Sequence, residues 1–194
     1  MINPYYDDFL EYGDAQYFYS LNRNDIRTEL VRKYAWAIPN EDTLCTIAQY
    51  APRIVEIGAG TGYWAYMLAQ TGVNSICYDR APYENKYASN NWYPIMRGGP
   101  VKAAHHADRA LFLCWPPYAE PMAYYALKAY KGDTVIYIGE GHGGCTGDDN
   151  FHYLLGDNSP WDEPIFESPW ECVETLWLPQ WRGIHDSVYI YHRK

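Results

Sequence analysis

The spacing of apolar residues divides the chain into a helical N-terminal part and a longer part with short apolar runs. In the first part, apolar side chains recur at helical spacing over Ile26–Trp36 and again over Asn40–Tyr50, and each pattern predicts a helix. Pro39 and Pro52 mark the ends of these helices, because proline lacks the N–H that would continue them. Residues 1–52 are therefore predicted to form a helical cap.

After residue 52 the apolar residues come in short runs separated by turns, a pattern typical of buried strands. The predicted strands are Ile54–Ile57, Ser75–Asp79, Trp92–Met96, Ala110–Cys114, Thr134–Ile138, Cys172–Leu178 and Ser187–Tyr191. The helical patterns between them are Tyr63–Gln70, Met122–Ala129 and Phe151–Leu155. This alternation predicts a mostly parallel sheet with helices on both faces, and the last two strands predict an antiparallel C-terminal edge. The expected fold class is a doubly wound, seven-stranded α/β sheet, with 53–194 as the sheet core of a single domain, 1–194.

The charge of the chain limits its kinds of partner. Lys and Arg number 15 and Asp and Glu number 24, which gives a net charge of −9. A protein that binds nucleic-acid backbones needs a basic surface, so we expect no nucleic-acid partner and a small neutral or cationic substrate. Aromatic residues make up 18% of the chain, enough to build a core, line a pocket or bury the interface of a homodimer.

The sequence shows no pattern of membrane insertion or export. Its first residues lack the basic and apolar regions of a signal peptide, and no apolar run is long enough to span a bilayer. The sequence has five cysteines, an odd number, and they lie far apart. This spacing differs from that of a disulfide framework or a zinc knuckle. This pattern favours reduced thiols and a cytoplasmic location, with no membrane partner.

The segment from Val55 to Leu68 combines a strand, a glycine-rich turn and a helix. Glycine lets the backbone turn tightly and approach a ligand without a side chain in between. The glycine spacing is G-x-G-x-G rather than the G-x-G-x-x-G typical of dinucleotide-binding folds. Asp79 ends the next strand, where an acid can accept both hydroxyls of a ribose. The alternative is a turn that serves packing only.

The seven residues that begin at Glu56, Glu-Ile-Gly-Ala-Gly-Thr-Gly, resemble the first motif of the class I S-adenosylmethionine-dependent methyltransferases. The resemblance implies S-adenosyl-L-methionine as the cofactor. It implies that Gly58, Gly60 and Gly62 pass under the methionine and ribose parts of this cofactor. It also implies that Asp79 binds the ribose hydroxyls and that Glu56 helps to orient the methionine ammonium group.

The resemblance covers residues 40–194 and includes the end of the fourth strand. There the run Trp-Pro-Pro-Tyr is similar to the D/N/S-P-P-Y/F/W motif of amino-methyltransferases, in which the first residue holds the target amine. Trp115 has no carboxyl or amide oxygen for an amine, so N-methylation is not implied. We expect Trp115 to contact the cofactor, and Pro116, Pro117 and Tyr118 to contact the substrate. The alternative is that the two prolines only end the strand.

A glycine-rich loop, Gly139–Asn150, leaves the carboxyl end of the fifth strand, where ligands of open α/β sheets bind. Its five glycines predict mobility while the site is empty. Glu140 and His142 are the candidate catalytic bases, since either can take a proton. A nucleophile pair of Cys145 with His142, or a loop that only caps the next helix, are alternatives. The spacing matches no zinc motif, so no metal is expected.

Two further segments are expected to border the same site. The turn before the last strand holds candidates for substrate contact: Trp181, Arg182, His185 and Asp186. An ordinary turn pair is an equally good interpretation of His185 and Asp186. The segment Tyr34–Asn40 is predicted to cover the methionine end of the cofactor, as the N-terminal flap of the methyltransferases does, or to be a helix end packed by its aromatic residues.

These features together predict a single-domain S-adenosylmethionine-dependent methyltransferase that acts on a small molecule. Most of its rate enhancement would come from aligning the acceptor with the sulfonium methyl group. Two alternatives stay open: a methyltransferase fold kept as a binding or scaffold module without turnover, and an enzyme that uses the same cofactor for another reaction. A nicotinamide or nucleotide-sugar enzyme is disfavoured by the glycine spacing.

Overall fold

The computed structural model describes residues 1–13, 23–82, 84, 90–157 and 167–194. Its helices are α1 (Pro4–Gly13), α2 (Arg23–Lys33), α3 (Glu41–Tyr50), α4 (Tyr63–Ala69), α5 (Met122–Ala129), α6 (Asp149–Leu155) and a 3-10 helix (Pro100–His105). Its strands are β1 (Arg53–Ile57), β2 (Asn74–Asp79), β3 (Ile95–Arg97), β4 (Ala110–Cys114), β5 (Thr134–Gly139), β6 (Trp170–Trp177) and β7 (Ser187–Arg193). Among these residues, no helix is both long and apolar enough to cross a bilayer.

The strands form one seven-stranded sheet in the order β3-β2-β1-β4-β5-β7-β6. Strands β1 to β5 pair in parallel, and β7 pairs antiparallel with both β5 and β6. This arrangement confirms the predicted α/β sheet with an antiparallel C-terminal edge. In the sheet, β2 lies on one side of β1 and β4 lies on the other side. The carboxyl ends of β1 and β4 therefore flank a topological switch point, where open α/β sheets bind ligands.

Helix α2 ends earlier than the apolar pattern predicts. The predicted helix runs to Trp36, whereas the observed helix ends at Lys33. Beyond this point the chain contacts the glycine turn, where the Tyr34 carbonyl accepts a hydrogen bond from the Thr61 hydroxyl. A contact between residues so far apart in sequence overrides the local helical preference.

Strand β3 is shorter than predicted and displaced along the chain. The predicted strand covers Trp92–Met96, whereas the observed strand is Ile95–Arg97. Trp92 donates its backbone N–H to the Thr61 carbonyl at 2.7 Å rather than to a strand. Pro94 has no N–H to donate, so the ladder with β2 begins only after it.

Each face of the sheet is covered by a layer of helices. One core cluster joins the N-terminal helices and α4 to one face and includes Tyr5, Leu30 and Phe112. A second cluster joins α5 and α6 to the opposite face and includes Leu113 and Phe151. The helical cap therefore shares a continuous core with the sheet, on the face opposite α5 and α6.

Aromatic side chains make much of the contact between the cap and the glycine turn. Tyr34 stacks on Tyr5, with 4.9 Å between ring centroids, and on Trp92, with 5.4 Å. Tyr63 meets Tyr34 edge-on at 5.0 Å. Such pairs contribute about 0.5–1.5 kcal/mol each beyond the burial of their area. These aromatic residues build core, and a homodimer interface stays a prediction.

Candidate functional site

The glycine turn between β1 and α4 lies at the carboxyl end of β1. Gly60 has a φ of +57°, and a Cβ added there would meet no atom within 4 Å. At Gly58, with a φ of +78°, an added Cβ would lie 2.9 Å from the Met122 side chain. The turn is therefore packed at Gly58 but open at Gly60, where a ligand can approach the backbone.

Asp79, at the carboxyl end of β2, closes this turn. Its Oδ2 accepts a hydrogen bond from the Gly60 N–H at 3.0 Å, and its Oδ1 accepts one from the Ala81 N–H at 2.8 Å. Each carboxylate oxygen has a second lone pair, so the group can still accept from a ligand. The structure thus places the two most specific sequence signals, the turn and the acid, in direct contact. The ribose contact itself stays a prediction.

Glu56 is buried within β1, just before the turn. Its Oε2 lies 3.5 Å from the Cys77 thiol, which is a weak hydrogen-bond donor. Burial, together with the nearby Asp79 charge, raises the pKa of Glu56 to about 8. A buried carboxyl with so weak a partner is stabilised when a positive charge is brought beside it. This is the property that an ammonium-binding role requires.

The segment Tyr34–Asn40 contacts the glycine turn and the helix that follows it, and its role as a flap over the cofactor stays a prediction. Besides the bond between Tyr34 and Thr61, the Ala37 carbonyl accepts from the Trp64 indole N–H at 3.2 Å. Farther along the sheet, the Trp36 ring stacks on Trp115 with 4.8 Å between centroids and 15° between planes. The flap therefore connects the turn after β1 to the end of β4.

Trp115 follows β4 and is held against the start of β7. Its indole N–H donates to Asp186 Oδ1 at 2.7 Å, and its backbone N–H donates to the Ile138 carbonyl at 2.8 Å. Asp186 is 1% exposed, and burial raises its pKa to about 7. The polar group that Trp115 itself lacks is thus supplied beside it by a residue from a distant turn.

Arg27 of α2 lies against the same tryptophans. Its guanidinium carbon is 5.5 Å from the centroid of Trp36 and 5.9 Å from that of Trp115, within cation–π range. Its charge opposes the rise in the pKa of Asp186 that burial causes. Nothing in the sequence singles out Arg27, because the spacing of α2 does not distinguish it from the other charged residues there. We call Arg27, Trp36, Trp115 and Asp186 the Arg27 cluster.

Glu140 links the glycine-rich loop to the turn before β7. Its Oε1 accepts from the His185 N–H at 2.8 Å, and its Oε2 accepts from the Cys145 N–H at 2.8 Å. Burial opposes ionisation of this carboxyl, but a hydrogen bond from the Cys145 side chain and the two backbone hydrogen bonds prevail and hold the pKa of Glu140 below its usual value. The hydrogen bonds and the lowered pKa both suit a residue that positions the loop. They suit a catalytic base less well. The predicted catalytic role of Glu140 is not tested by this geometry.

His142 lies on the opposite side of the loop from the Arg27 cluster. Its N–H donates to Asp157 at 2.8 Å, and its ring contacts His152 and Tyr153 at 5.8 and 5.6 Å between centroids. These contacts place it beside α6, whereas Trp115 packs with the cap side of the core. Glu140 and His142 therefore do not converge on one point, and a catalytic role for His142 stays a prediction.

The glycine-rich loop is hydrogen-bonded to its surroundings in this structure. Gly147 donates its N–H to the Pro116 carbonyl at 2.9 Å and accepts from the Ala119 N–H at 2.9 Å. The buried Thr146 hydroxyl accepts from the Glu140 N–H at 3.0 Å. Mobility of the empty loop stays a prediction. Within the part of the chain described, no group of three or more His, Cys, Asp or Glu side chains is placed to hold a metal ion.

The residues predicted to contact substrate after β4 and before β7 differ in exposure. Pro116 is buried, whereas Pro117 is exposed and the Tyr118 side chain is 68% exposed. Tyr118 therefore forms no wall of an enclosed site in this structure. His185 is exposed and donates its backbone N–H to Glu140, so its ring stays available to a ligand.

Trp181 is a buried packing residue in this structure, and its predicted contact with a substrate stays a prediction. It is 2% exposed, and its indole N–H donates to the Tyr5 hydroxyl at 3.0 Å. Phe9 of α1 meets its ring edge-on at 5.0 Å. The ring is used to attach the first helix, a role that no local pattern around Trp181 reveals.

No family model and no curated protein matches this sequence. Solved structures match its fold. Sp1610 of Streptococcus pneumoniae, described as a candidate tRNA (m1A22) methyltransferase, has a TM-score of 0.51 at 8% identity, over 80% of this chain and 71% of that one. An O-methyltransferase from Bacillus cereus, in complex with SAH, has a TM-score of 0.45 at 13% identity, over 100% and 92%. The O-methyltransferase TomG of Streptomyces achromogenes, in complex with SAM, has a TM-score of 0.43 at 16% identity, over 78% of each chain.

At these identities the likeness concerns the fold. The strand order and the similarity to Sp1610 define the class: this chain has the fold of the class I methyltransferases. The first motif falls at the position that this fold assigns to it, between β1 and α4.

Proposed function

We propose that the protein is an S-adenosylmethionine-dependent methyltransferase that acts on a small molecule. The observation that carries the proposal is the open backbone at Gly60, next to Asp79 and Glu56 at the switch point of the sheet. The nucleoside part of this cofactor needs an acceptor for its ribose hydroxyls, and its amino-acid part needs a negative charge beside the ammonium group. The carboxyl groups of Asp79 and Glu56, which flank the open turn, are suited to these two tasks. Both parts of the cofactor are matched by residues within one short region.

The residues present fit S-adenosyl-L-methionine. Gly60 would lie beneath it, Asp79 would accept from the ribose hydroxyls, and Glu56 would pair with the ammonium group. When bound, the cofactor supplies an electrophilic methyl group on a sulfonium. The flap residue Trp36 and the strand-end residue Trp115 would then limit the access of water to the reaction centre.

We assign to Asp186 the removal of a proton from a hydroxyl acceptor. The bound cofactor would supply its methyl group to the acceptor oxygen and would leave as S-adenosylhomocysteine, so the acceptor must lose its hydroxyl proton. The hydroxyl proton passes to Asp186, whose pKa of about 7 suits a base near neutral pH. Trp115, which donates to the other side of the same carboxyl group, fixes its orientation. The acid from the turn before β7 thereby takes the place of the polar residue in the family motif.

A binding experiment tests the cofactor assignment first. Thermal unfolding is followed with S-adenosylmethionine, S-adenosylhomocysteine, NAD or NADP. We expect both sulfur compounds to stabilise the protein and both nicotinamides to leave it unchanged, since a ligand at 100 times its Kd adds about 2.7 kcal/mol. Stabilisation by NAD alone would assign the turn to a dinucleotide. No stabilisation by any of the four would favour the scaffold alternative.

A chemical experiment then distinguishes methyl transfer from other uses of the cofactor. The protein is incubated with S-adenosylmethionine alone and with a panel of small hydroxyl compounds. We expect S-adenosylhomocysteine to form only with an acceptor. Asp186→Asn is expected to slow this reaction about a hundredfold or more, as for loss of a general base, with cofactor affinity unchanged. Cleavage of the cofactor without an acceptor would instead support a non-methylation enzyme.

A further inference from the structure

Arg27 carries an unsatisfied charged edge inside the protein. Its Nε and Nη2 atoms are buried, and neither has a hydrogen-bond partner in the described part of the chain. Buried charged donors are normally hydrogen-bonded, because leaving them unpaired costs more than a neutral group does. An arginine with two such donors therefore indicates a missing partner.

The identity of the two atoms indicates the chemistry of that partner. Nε and Nη2 form one edge of the guanidinium plane, with two parallel N–H groups. This edge binds a carboxylate through two hydrogen bonds, a geometry that a single-point acceptor such as a hydroxyl cannot reproduce. The ring faces of Trp36 and Trp115 lie 5.5 and 5.9 Å from the guanidinium carbon, which limits its movement.

Among the side chains that the structure describes, none supplies the carboxylate. Asp186 is close enough for the Arg27 charge to affect its pKa, but its carboxyl is bonded to the Trp115 indole and not to Arg27. Glu140 is bonded to two backbone N–H groups. These two acids are therefore engaged elsewhere, and the edge of Arg27 remains for a ligand.

The position of Arg27 indicates that the carboxylate belongs to the methyl acceptor rather than to the cofactor. Arg27 contacts the residue after β4, and its charge acts on Asp186 and Cys145 near the ends of β7 and β5. Asp79 and Glu56, which suit the cofactor, belong to β2 and β1 on the other side of β4. The Arg27 cluster thus borders the half of the site away from the glycine turn.

We propose that Arg27 binds a carboxylate group of the methyl acceptor. This inference rests on the proposed function and adds the substrate class, a small hydroxy acid whose carboxylate is held at Arg27 while its hydroxyl lies near Asp186. The expectation of a neutral or cationic substrate came from the net charge of the whole chain. The local charge and the unpaired edge at Arg27 point to an anionic group instead.

The test uses benzoate as the probe and benzamide as its neutral match, titrated into the full chain with and without saturating S-adenosylhomocysteine. We expect benzoate to bind saturably and benzamide not to bind. Arg27→Gln is expected to weaken benzoate binding at least tenfold. Arg27→Lys, a milder change that keeps the charge but not the two-point edge, is expected to weaken it as well. Arg32→Gln, on the exposed side of the same helix, serves as the control and keeps wild-type affinity.

Three outcomes would overturn the proposal. Benzoate and benzamide binding alike, or benzoate binding equally to wild type and to both Arg27 variants, would show that Arg27 does not select a carboxylate. A tenfold loss of S-adenosylhomocysteine affinity in Arg27→Gln would assign the edge to the cofactor carboxylate. Failure of the proposed function would give a different result: S-adenosylhomocysteine would not bind the wild-type protein. The comparison of benzoate with benzamide would still test the role of Arg27.

Discussion

Replacing Gly60 by alanine separates the strain of the turn from its contact with a ligand. At a φ of +57° an alanine costs about 1–2 kcal/mol, because the left-handed conformation crowds its Cβ against the backbone. The Cβ itself meets no atom within 4 Å, so no clash adds to this cost. The folded protein is therefore expected to survive the change. A cofactor beneath which the turn passes would, however, meet the new methyl group, and we expect its affinity to fall roughly tenfold or more, about 1.4 kcal/mol.

Gly72 provides a matched control for this experiment. It has a φ of +86° and likewise no atom within 4 Å of an added Cβ, but it lies just before β2, at the edge of the sheet opposite the turn. Gly72→Ala should lose a similar amount of stability in urea unfolding. Calorimetric titration with S-adenosylhomocysteine should then show reduced affinity for Gly60→Ala and wild-type affinity for Gly72→Ala. Equal affinity of both variants would refute a ligand site at Gly60.

Three further predictions concern the acids of the site. Asp79→Ala removes two charge-assisted hydrogen bonds to the backbone, each worth about 1.5–3 kcal/mol at most, so both the unfolding midpoint and the S-adenosylhomocysteine affinity are expected to fall; an unchanged affinity would contradict the ribose role. The pKa of Glu56 is raised from 4.5 to about 8, so the folded state holds this proton more tightly than the unfolded state. The free energy of unfolding should fall as the pH rises between these values, and Glu56→Gln should flatten that profile. Calorimetry in buffers of different ionisation enthalpy should also show proton release when the cofactor binds wild type at pH 7, and none with Glu56→Gln. Glu140→Gln is expected to slow turnover more than it weakens cofactor binding, because it loosens the loop rather than the turn; the reverse order of effects would show that the loop contacts the cofactor.

The sheet and the glycine turn could be predicted because their signals are local. The strand, the three glycines and the following helix lie within a short stretch, and the observed α4 begins at Tyr63 as predicted. Asp79 was identified for the same reason, as the last residue of the next strand. Periodicity was less reliable where long-range contacts decide the structure, as at Trp36 and Trp92.

The acceptor half of the site could not be predicted in this way. Trp115 and Asp186 are 71 residues apart, and only the antiparallel insertion of β7 beside β5 brings them together. Arg27 joins them from a helix that precedes the sheet in the chain. Glu140 was identified by position, but its hydrogen bonds, which decide its chemistry, depend on the backbone at Cys145 and His185.

A crystal structure of the protein with S-adenosylhomocysteine tests the central claim most directly. We expect the ligand over Gly60, with its ribose hydroxyls on Asp79, its ammonium group beside Glu56, and its sulfur facing Trp115 and Asp186. A ligand bound elsewhere, or bound at the turn with its sulfur directed away from Trp115, would contradict the proposed methyl transfer.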